Sequence, residues 1–257
     1  MSEYRTSIGS ADATSIRLLG QDLADDLMGK VGFGELAFWL VAQRRPTPGE
    51  LRLFEAVLVA LADHGFTPTV IAARLTLTGA PESLQGALAA GLLGGGSRFL
   101  GVTEDCGRFL ADALASRRPQ PSSDEEWDAL AAEAVRAMRD AGRLVPGLGH
   151  PLHKDGDPRT PVIMRIAAEE GVTGPHLRLF QAVGRVHPAI LGRTLPLNGA
   201  GVCGAALADL GFPASILRGF ALLARTAGLL GHLAEESRRP AGPQIYQQVD
   251  GAISYAP

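Results

Sequence analysis

A mainly α-helical fold is predicted by three observations. Apolar residues recur at three- and four-residue intervals through most of the chain after Glu35, no long run alternates with period two, and several apolar segments open on residues that cap helices. With 257 residues, 46% of them apolar, the chain can bury a sizeable core as one large domain or two small ones.

The elements follow in order. Residues 1–34 mix short β-favouring pieces, 5–8 and 14–18, with Gly9, Gly20, Gly29 and Gly32, which predicts an irregular lead-in with a short hairpin. Residues 35–257 form the helical domain. Helices are predicted over 35–42, 69–77, 82–92, 102–116, 159–170, 175–187 and 201–210. Thr47-Pro48-Gly49-Glu50 supplies a capping box and a proline at the first helical position for a helix ending near His64-Gly65. Ser123 and Glu126 repeat that logic before Trp127, and Ala141-Gly142 closes the helix. Pro213 opens a long helix carrying Phe220, Leu223 and Leu230, while Arg117-Arg118-Pro119 and Pro121 mark 116–123 as the candidate linker.

The net charge is −3 with both signs interleaved, so no nucleic-acid partner is expected. Cys106 and Cys203 lack metal-ligand spacing, which suits buried thiols in a reducing compartment and predicts no metal. With no leader pattern and no apolar cluster of bilayer-spanning length, the expectation is a cytoplasmic protein without a membrane partner.

Chemistry concentrates in the segment from Gly147 to Arg159, where His150, His153, Lys154 and Arg159 lie between glycines and prolines. Asp157-Pro158 reads as an N-cap followed by a first-position proline, so these polar groups sit where a helix begins and can hold a carboxylate. The plainer reading is a solvated surface loop. Arg225 lies inside the apolar run 220–233, where it needs either a ligand anion or a bridge to Asp209, Glu235 or Glu236. His64, before a glycine, suits a helix C-terminus more than catalysis, and His153, His176, His187 and His232 default to packing. Gly94-Gly95-Gly96 lacks the rest of a phosphate loop, and neither a Gly-x-Ser-x-Gly elbow nor a His-Glu-x-x-His pair is present.

Gly149-His150 followed by Lys154 and Asp157-Pro158-Arg159 resembles the signature of the citrate synthase superfamily, and the resemblance continues through Asp63-His64-Gly65, Ala224-Arg225-Thr226-Ala227-Gly228 and Arg239-Pro240, over about residues 5–256. The citryl-CoA lyase branch is the most similar. The resemblance implies an all-α fold with a large helical domain plus a small helical lobe, here around 159–210. It implies that His150 meets the carbonyl of oxaloacetate or the hydroxyl of a citryl group, taking the hydroxyl proton in cleavage, with His64 the second catalytic histidine. His64, Arg159, Arg225 and Arg239 would hold carboxylates, with Arg239 coming from the partner subunit of a homodimer. Lys154 falls where the family faces coenzyme A phosphates, and coenzyme A enters as acyl-CoA substrate or product.

Two positions depart from the family pattern. Ala200, in Asn198-Gly199-Ala200-Gly201, stands where the catalytic aspartate is expected, and the thioester-polarising histidine is absent near Phe99. Asn198, Cys203 and Asp209 are the nearby groups that could substitute. The resemblance therefore implies a carbon–carbon lyase or synthase acting on a polycarboxylate and a CoA thioester. The alternative is a non-catalytic member that binds a polycarboxylate or CoA ester as a sensor or companion subunit. A helical scaffold with structural polar patches is the plainest option.

Overall fold

The computed structural model describes residues 4–256, so the first three residues of the lead-in and Pro257 lie outside it. The chain is all-α apart from one small sheet. The helices are α1 (Phe33–Ala42), α2 (Pro48–Ala62), α3 (Pro68–Gly79), α4 (Leu84–Leu93), α5 (Val102–Ala115), α6 (Asp124–Asp140), α7 (Arg159–Glu169), α8 (Pro175–Leu191), α9 (Gly199–Asp209), α10 (Leu217–Glu236) and α11 (Gly242–Ala252). Single wide turns of π type occupy Leu23–Leu27 and Gly96–Leu100.

The lead-in carries three antiparallel strands, β1 (Gly9–Ala11), β2 (Ile16–Leu18) and β3 (Gln21–Asp22). The first strand falls later than the predicted 5–8 because the Asp12 carboxylate accepts the N–H groups of Thr14 and Ser15, both at 2.8 Å, and so fixes the turn. The predicted capping box is present on α2: Thr47 Oγ1 accepts the Glu50 N–H while the Glu50 carboxylate accepts the Thr47 N–H. That helix stops at Ala62, and Asp63 turns extended before His64. Helix α8 runs past the predicted end through Pro188 to Leu191; a proline gives up one helix hydrogen bond, which flanking packing offsets here.

Helix α11 was not predicted, and the reason lies in its cap. The Glu236 carboxylate, on α10, accepts the N–H groups of Ala241 (3.0 Å) and Gly242 (2.7 Å) while also pairing with Arg74 of α3. Only Gly242 of α11 is buried, so neither a local cap nor an apolar stripe announces the helix.

The main core is built by α1, α2 and α5 to α10, around Phe38, Phe54, Phe180, Phe212 and Phe220, with Phe54 and Phe220 edge to face at 5.1 Å. A second cluster joins α3, α4 and α10 through Val70, Ala73, Leu77, Ala87, Leu229 and Leu233. Helix α10 serves both. By length and composition the stretch Ala214–Glu236 is apolar enough to cross a membrane, contrary to the expectation of no such run; here its apolar face packs on α2, α4 and α3, and it buries Arg225 and Glu236.

The Asp209 side chain, at the end of α9, is fully buried and accepts the N–H groups of Gly174, His176 and Leu177 at 2.9–3.0 Å, capping α8 from another helix. Asp209→Ala strands those donors, and its expected cost is about 3 kcal/mol in a denaturant titration.

Candidate functional site

The site forms where the His150 loop meets the start of α9. Gly149 N–H donates to Pro196 O (2.8 Å) and Asn198 N–H to Gly147 O (2.9 Å), with Leu148 and Leu197 bridged antiparallel. Asn198 does two jobs: its Oδ1 caps α9 by accepting the Gly201 N–H (2.8 Å), and its Nδ2 donates to Gly149 O (2.8 Å). His150 is thus held by main-chain geometry directly against the α9 N-terminus.

The His150 ring is oriented by its own loop. Its Nδ1 faces the N–H groups of Leu152 (3.1 Å) and His153 (3.0 Å). Two donors at Nδ1 require a lone pair there, so the neutral ring carries its proton on Nε2. Burial pushes the His150 pKa down, and the neighbouring His153 and His64 push it the same way, which favours that neutral form. A neutral ring with Nε2–H donates a hydrogen bond. As oriented, the neutral ring presents an N–H donor at Nε2 and no lone pair there to take up the proton that the resemblance implies it accepts.

His64 lies beyond the end of α2, with its ring centroid 5.0 Å from that of His150 and 5.5 Å from that of His153. His153 stacks on His150 at 4.4 Å. The three offer ring nitrogens within 4.8 Å of one another, a spacing that could hold a metal ion. As oriented, His150 presents Nε2–H and no lone pair, so the set suits an oxygen acceptor better than a cation.

Two arginines face this cluster with different charge states of their surroundings. Arg159, in the first turn of α7, is gripped by Asp157: Nε to Oδ1 at 2.9 Å and Nη2 to Oδ2 at 2.7 Å, while Nη1 reaches Ala60 O at 3.1 Å. Asp157 Oδ2 also accepts the Gly199 N–H at 2.7 Å. Burial alone would raise the Asp157 pKa, but these bonds hold it well below the carboxylate range. A Cβ on Gly199 would sit 2.2 Å from Arg159 Nε, so glycine there lets the guanidinium lie against α9.

Arg225 is different. It is 7% exposed, and among the described residues its Nε and Nη1 are buried with no hydrogen-bond partner. The predicted bridges to Asp209, Glu235 and Glu236 do not form, because Asp209 caps α8 and both glutamates go to Arg74. Among the described residues its one ion-pair contact is Asp63 Oδ1, 3.8 Å from Nη1. Burial depresses the Arg225 pKa; Asp63 counters this, and nearby Arg159 adds to it. A Cβ on Gly228 would sit 2.0 Å from Ala62 O, and this close helix contact is what brings Arg225 beside the end of α2.

Arg239 and Lys154 are exposed, and among the described residues neither makes a hydrogen bond or ion pair with His64, His150, Arg159 or Arg225. Phe99 is 46% exposed. Ala200 packs on the main core in the first turn of α9 and adds no titratable group. The three candidates for the missing aspartate are engaged or inert: Asn198 caps α9, Asp209 caps α8, and burial pushes the Cys203 thiol up to about 12. Sequence reasoning missed His153 as a member of the cluster, although its three-residue spacing from His150 within one loop was visible. It also took Asp157 for a helix cap only. Helix α7 begins at Arg159, where its predicted range 159–170 starts, but Pro158 and not Asp157 takes the N-cap position, while Asp157 accepts the Arg159 N–H at 3.1 Å.

The helical fold and the cluster of three histidines with Arg159 and Arg225 define an all-α protein with a candidate anion-binding site beside the α9 N-terminus. The chain belongs to the citrate synthase family: the family model for the citrate synthase C-terminal domain matches residues 5–245. Among solved structures it is similar to the citryl-CoA lyase of Hydrogenobacter thermophilus, at 29% identity and a TM-score of 0.86, covering 99% of this chain and 94% of that one. It also shares its fold with the ATP citrate lyase of Methanothrix soehngenii in complex with citrate and coenzyme A, at 24% identity and a TM-score of 0.77, covering 100% of this chain and 42% of the other. Curated relatives include the probable ATP-citrate synthases of Caenorhabditis elegans, 25% identical over 98% of this chain, and Dictyostelium discoideum, 27% identical over 87%. The chain spans 23% and 36% of their respective lengths.

Asp157→Asn keeps the shape but removes the charge that grips Arg159. The expected loss is about 3 kcal/mol at neutral pH. Because the folded pKa is depressed, the stabilisation is complete above the ordinary carboxylate value of about 4 and fades as pH falls through the lower folded value. Urea titrations across that acid range should therefore show the gap between wild type and variant closing.

Proposed function

We propose that this chain is a citryl-CoA lyase-like enzyme that breaks, or in reverse makes, the carbon–carbon bond joining an acetyl-CoA unit to oxaloacetate or a similar 2-oxo acid. One observation carries the reading: a buried Arg225 whose Nε and Nη1 lack partners, in a site whose histidine offers a fixed Nε2–H. Unsatisfied buried guanidinium donors are costly, and a ligand carboxylate supplies what they lack. Arg225 holds one carboxylate and the outer face of Arg159 a second.

In cleavage, His150 Nε2–H donates to the citryl hydroxyl oxygen and stabilises the alkoxide charge that develops there as the hydroxyl proton leaves, before that charge collapses into the new carbonyl. His64, whose ring lies 5.0 Å away, takes the hydroxyl proton and returns it to water. The C–C bond electrons pass to the thioester as an enolate of acetyl-CoA, which takes its proton from solvent because Ala200 supplies none. A positioned acid is worth about 10²–10⁴-fold, so wild-type turnover is expected to be slow. Lys154, exposed on the same loop, is the proposed partner of a coenzyme A phosphate. The exposure of Arg239, and its lack of any hydrogen bond or ion pair to the other site residues among the described residues, support a homodimer in which Arg239 of the partner subunit completes the site.

The alternative suggested by Ala200, a member that binds its ligand without turnover, is not favoured by the similarity to a citryl-CoA lyase over 99% of this chain. A coupled assay for oxaloacetate release from citryl-CoA separates the two: release marks the lyase, and citrate binding with no release marks the binder. In the lyase case His150→Ala should lower kcat/KM by at least about 100-fold; an unchanged value removes His150 from the mechanism. Ala200→Asp, which places a carboxylate in the first turn of α9, should raise turnover about tenfold or more, read in the same assay.

A further inference from the structure

The device that keeps Arg225 unpaired lies outside the histidine cluster. Arg74 is 1% exposed and donates to Glu236 at 2.7 Å, to Glu235, and through Nη2 to His232 Nδ1 at 2.9 Å. A guanidinium only donates, so His232 Nδ1 must accept, and its proton lies on Nε2. That Nε2–H points at Asp63 Oδ1, 3.0 Å away. The other oxygen of Asp63 accepts the Gly65 N–H at 2.9 Å. Phe66 covers the chain of contacts, with its ring 5.7 Å from that of His232 and 4.8 Å from the Arg74 guanidinium.

Asp63 is thus pinned at both oxygens, with Oδ1 3.8 Å from Arg225 Nη1. A movement of about 1 Å would convert that gap into a hydrogen-bonded ion pair. The pair would satisfy Arg225 internally and neutralise the strongest anion-binding group in the site. We propose that His232, backed by Arg74, is a positioning residue that restrains Asp63 from closing on Arg225 and so reserves Arg225 for a ligand carboxylate. The assignment rests on the carboxylate-binding reading above and adds to it the element that sets how much of the Arg225 charge a ligand meets. It also accounts for a histidine that the sequence placed only as packing.

Citrate titration by calorimetry on the full chain tests the assignment, with melting temperature recorded for each variant. His232→Ala frees Asp63 and is expected to weaken citrate binding about tenfold. Adding Asp63→Asn to that variant removes the competing charge and should restore the wild-type Kd, a rescue that general loss of packing does not give. His232→Gln, which can still donate to Asp63, should bind nearly as wild type. Asp63→Glu, one methylene longer, should reach Arg225 with His232 intact and give the same loss, so the test stands even if His232→Ala does not fold. An unchanged Kd in folded His232→Ala, or no rescue by Asp63→Asn, overturns the assignment while leaving the functional reading in place. Failure of wild type to bind citrate overturns both.

Discussion

The site depends on one buried carboxylate. The Asp157 side chain is wholly shielded from solvent, and an unpaired charge there would cost several kcal/mol. It is made tolerable by the Arg159 guanidinium and by the backbone N–H groups of Arg159 and Gly199. Those two N–H groups open α7 and α9, so both helix N-termini point their partial positive charge at one anion. Together with the Gly149–Pro196 and Asn198–Gly147 bonds, this closes the loop carrying His150 onto α9 at both of its ends. His150 is therefore positioned by two helices and a short antiparallel pairing, all tied through Asp157 and Asn198.

The same arrangement divides the positive charge unequally. Arg159 spends its best geometry on Asp157, so its charge is largely balanced within the protein. Arg225 is left with buried, unmatched donors because its one carboxylate neighbour is tethered elsewhere. A ligand carboxylate thus gains most at Arg225, and a ligand oxygen near His150 meets Nε2–H. Binding and polarisation are well provided for. Ala200 supplies no proton, and the nearby Asn198, Asp209 and Cys203 are engaged or inert, so in the proposed reaction affinity is better provided for than rate.

Much of this was legible in the sequence where the causes are local. The capping box at Thr47–Glu50, the cap at Ser123, and the three- and four-residue apolar spacing of α2, α6 and α10 all act within a few residues, and the helices form close to where those signals put them. The His150 loop was visible because glycine, proline and charged residues mark it together. What escaped notice depends on residues distant in the chain. Helix α11 is capped by Glu236, α8 by Asp209, and the tautomer of His232 is set by Arg74, 158 residues away. The pairing of Arg225 could not be assigned from spacing, since its nearest carboxylate, Asp63, is more than half the chain away and is held off by a third residue.

The most direct measurement is a crystal structure of this protein with citrate bound. The account predicts a carboxylate within hydrogen-bond distance of Arg225 Nε or Nη1, a second carboxylate against Arg159, and the citrate hydroxyl at His150 Nε2, with Asp157 still holding Arg159. Citrate bound away from Arg225, or an Arg225 side chain that pairs with Asp63 while citrate occupies the cluster, would contradict it.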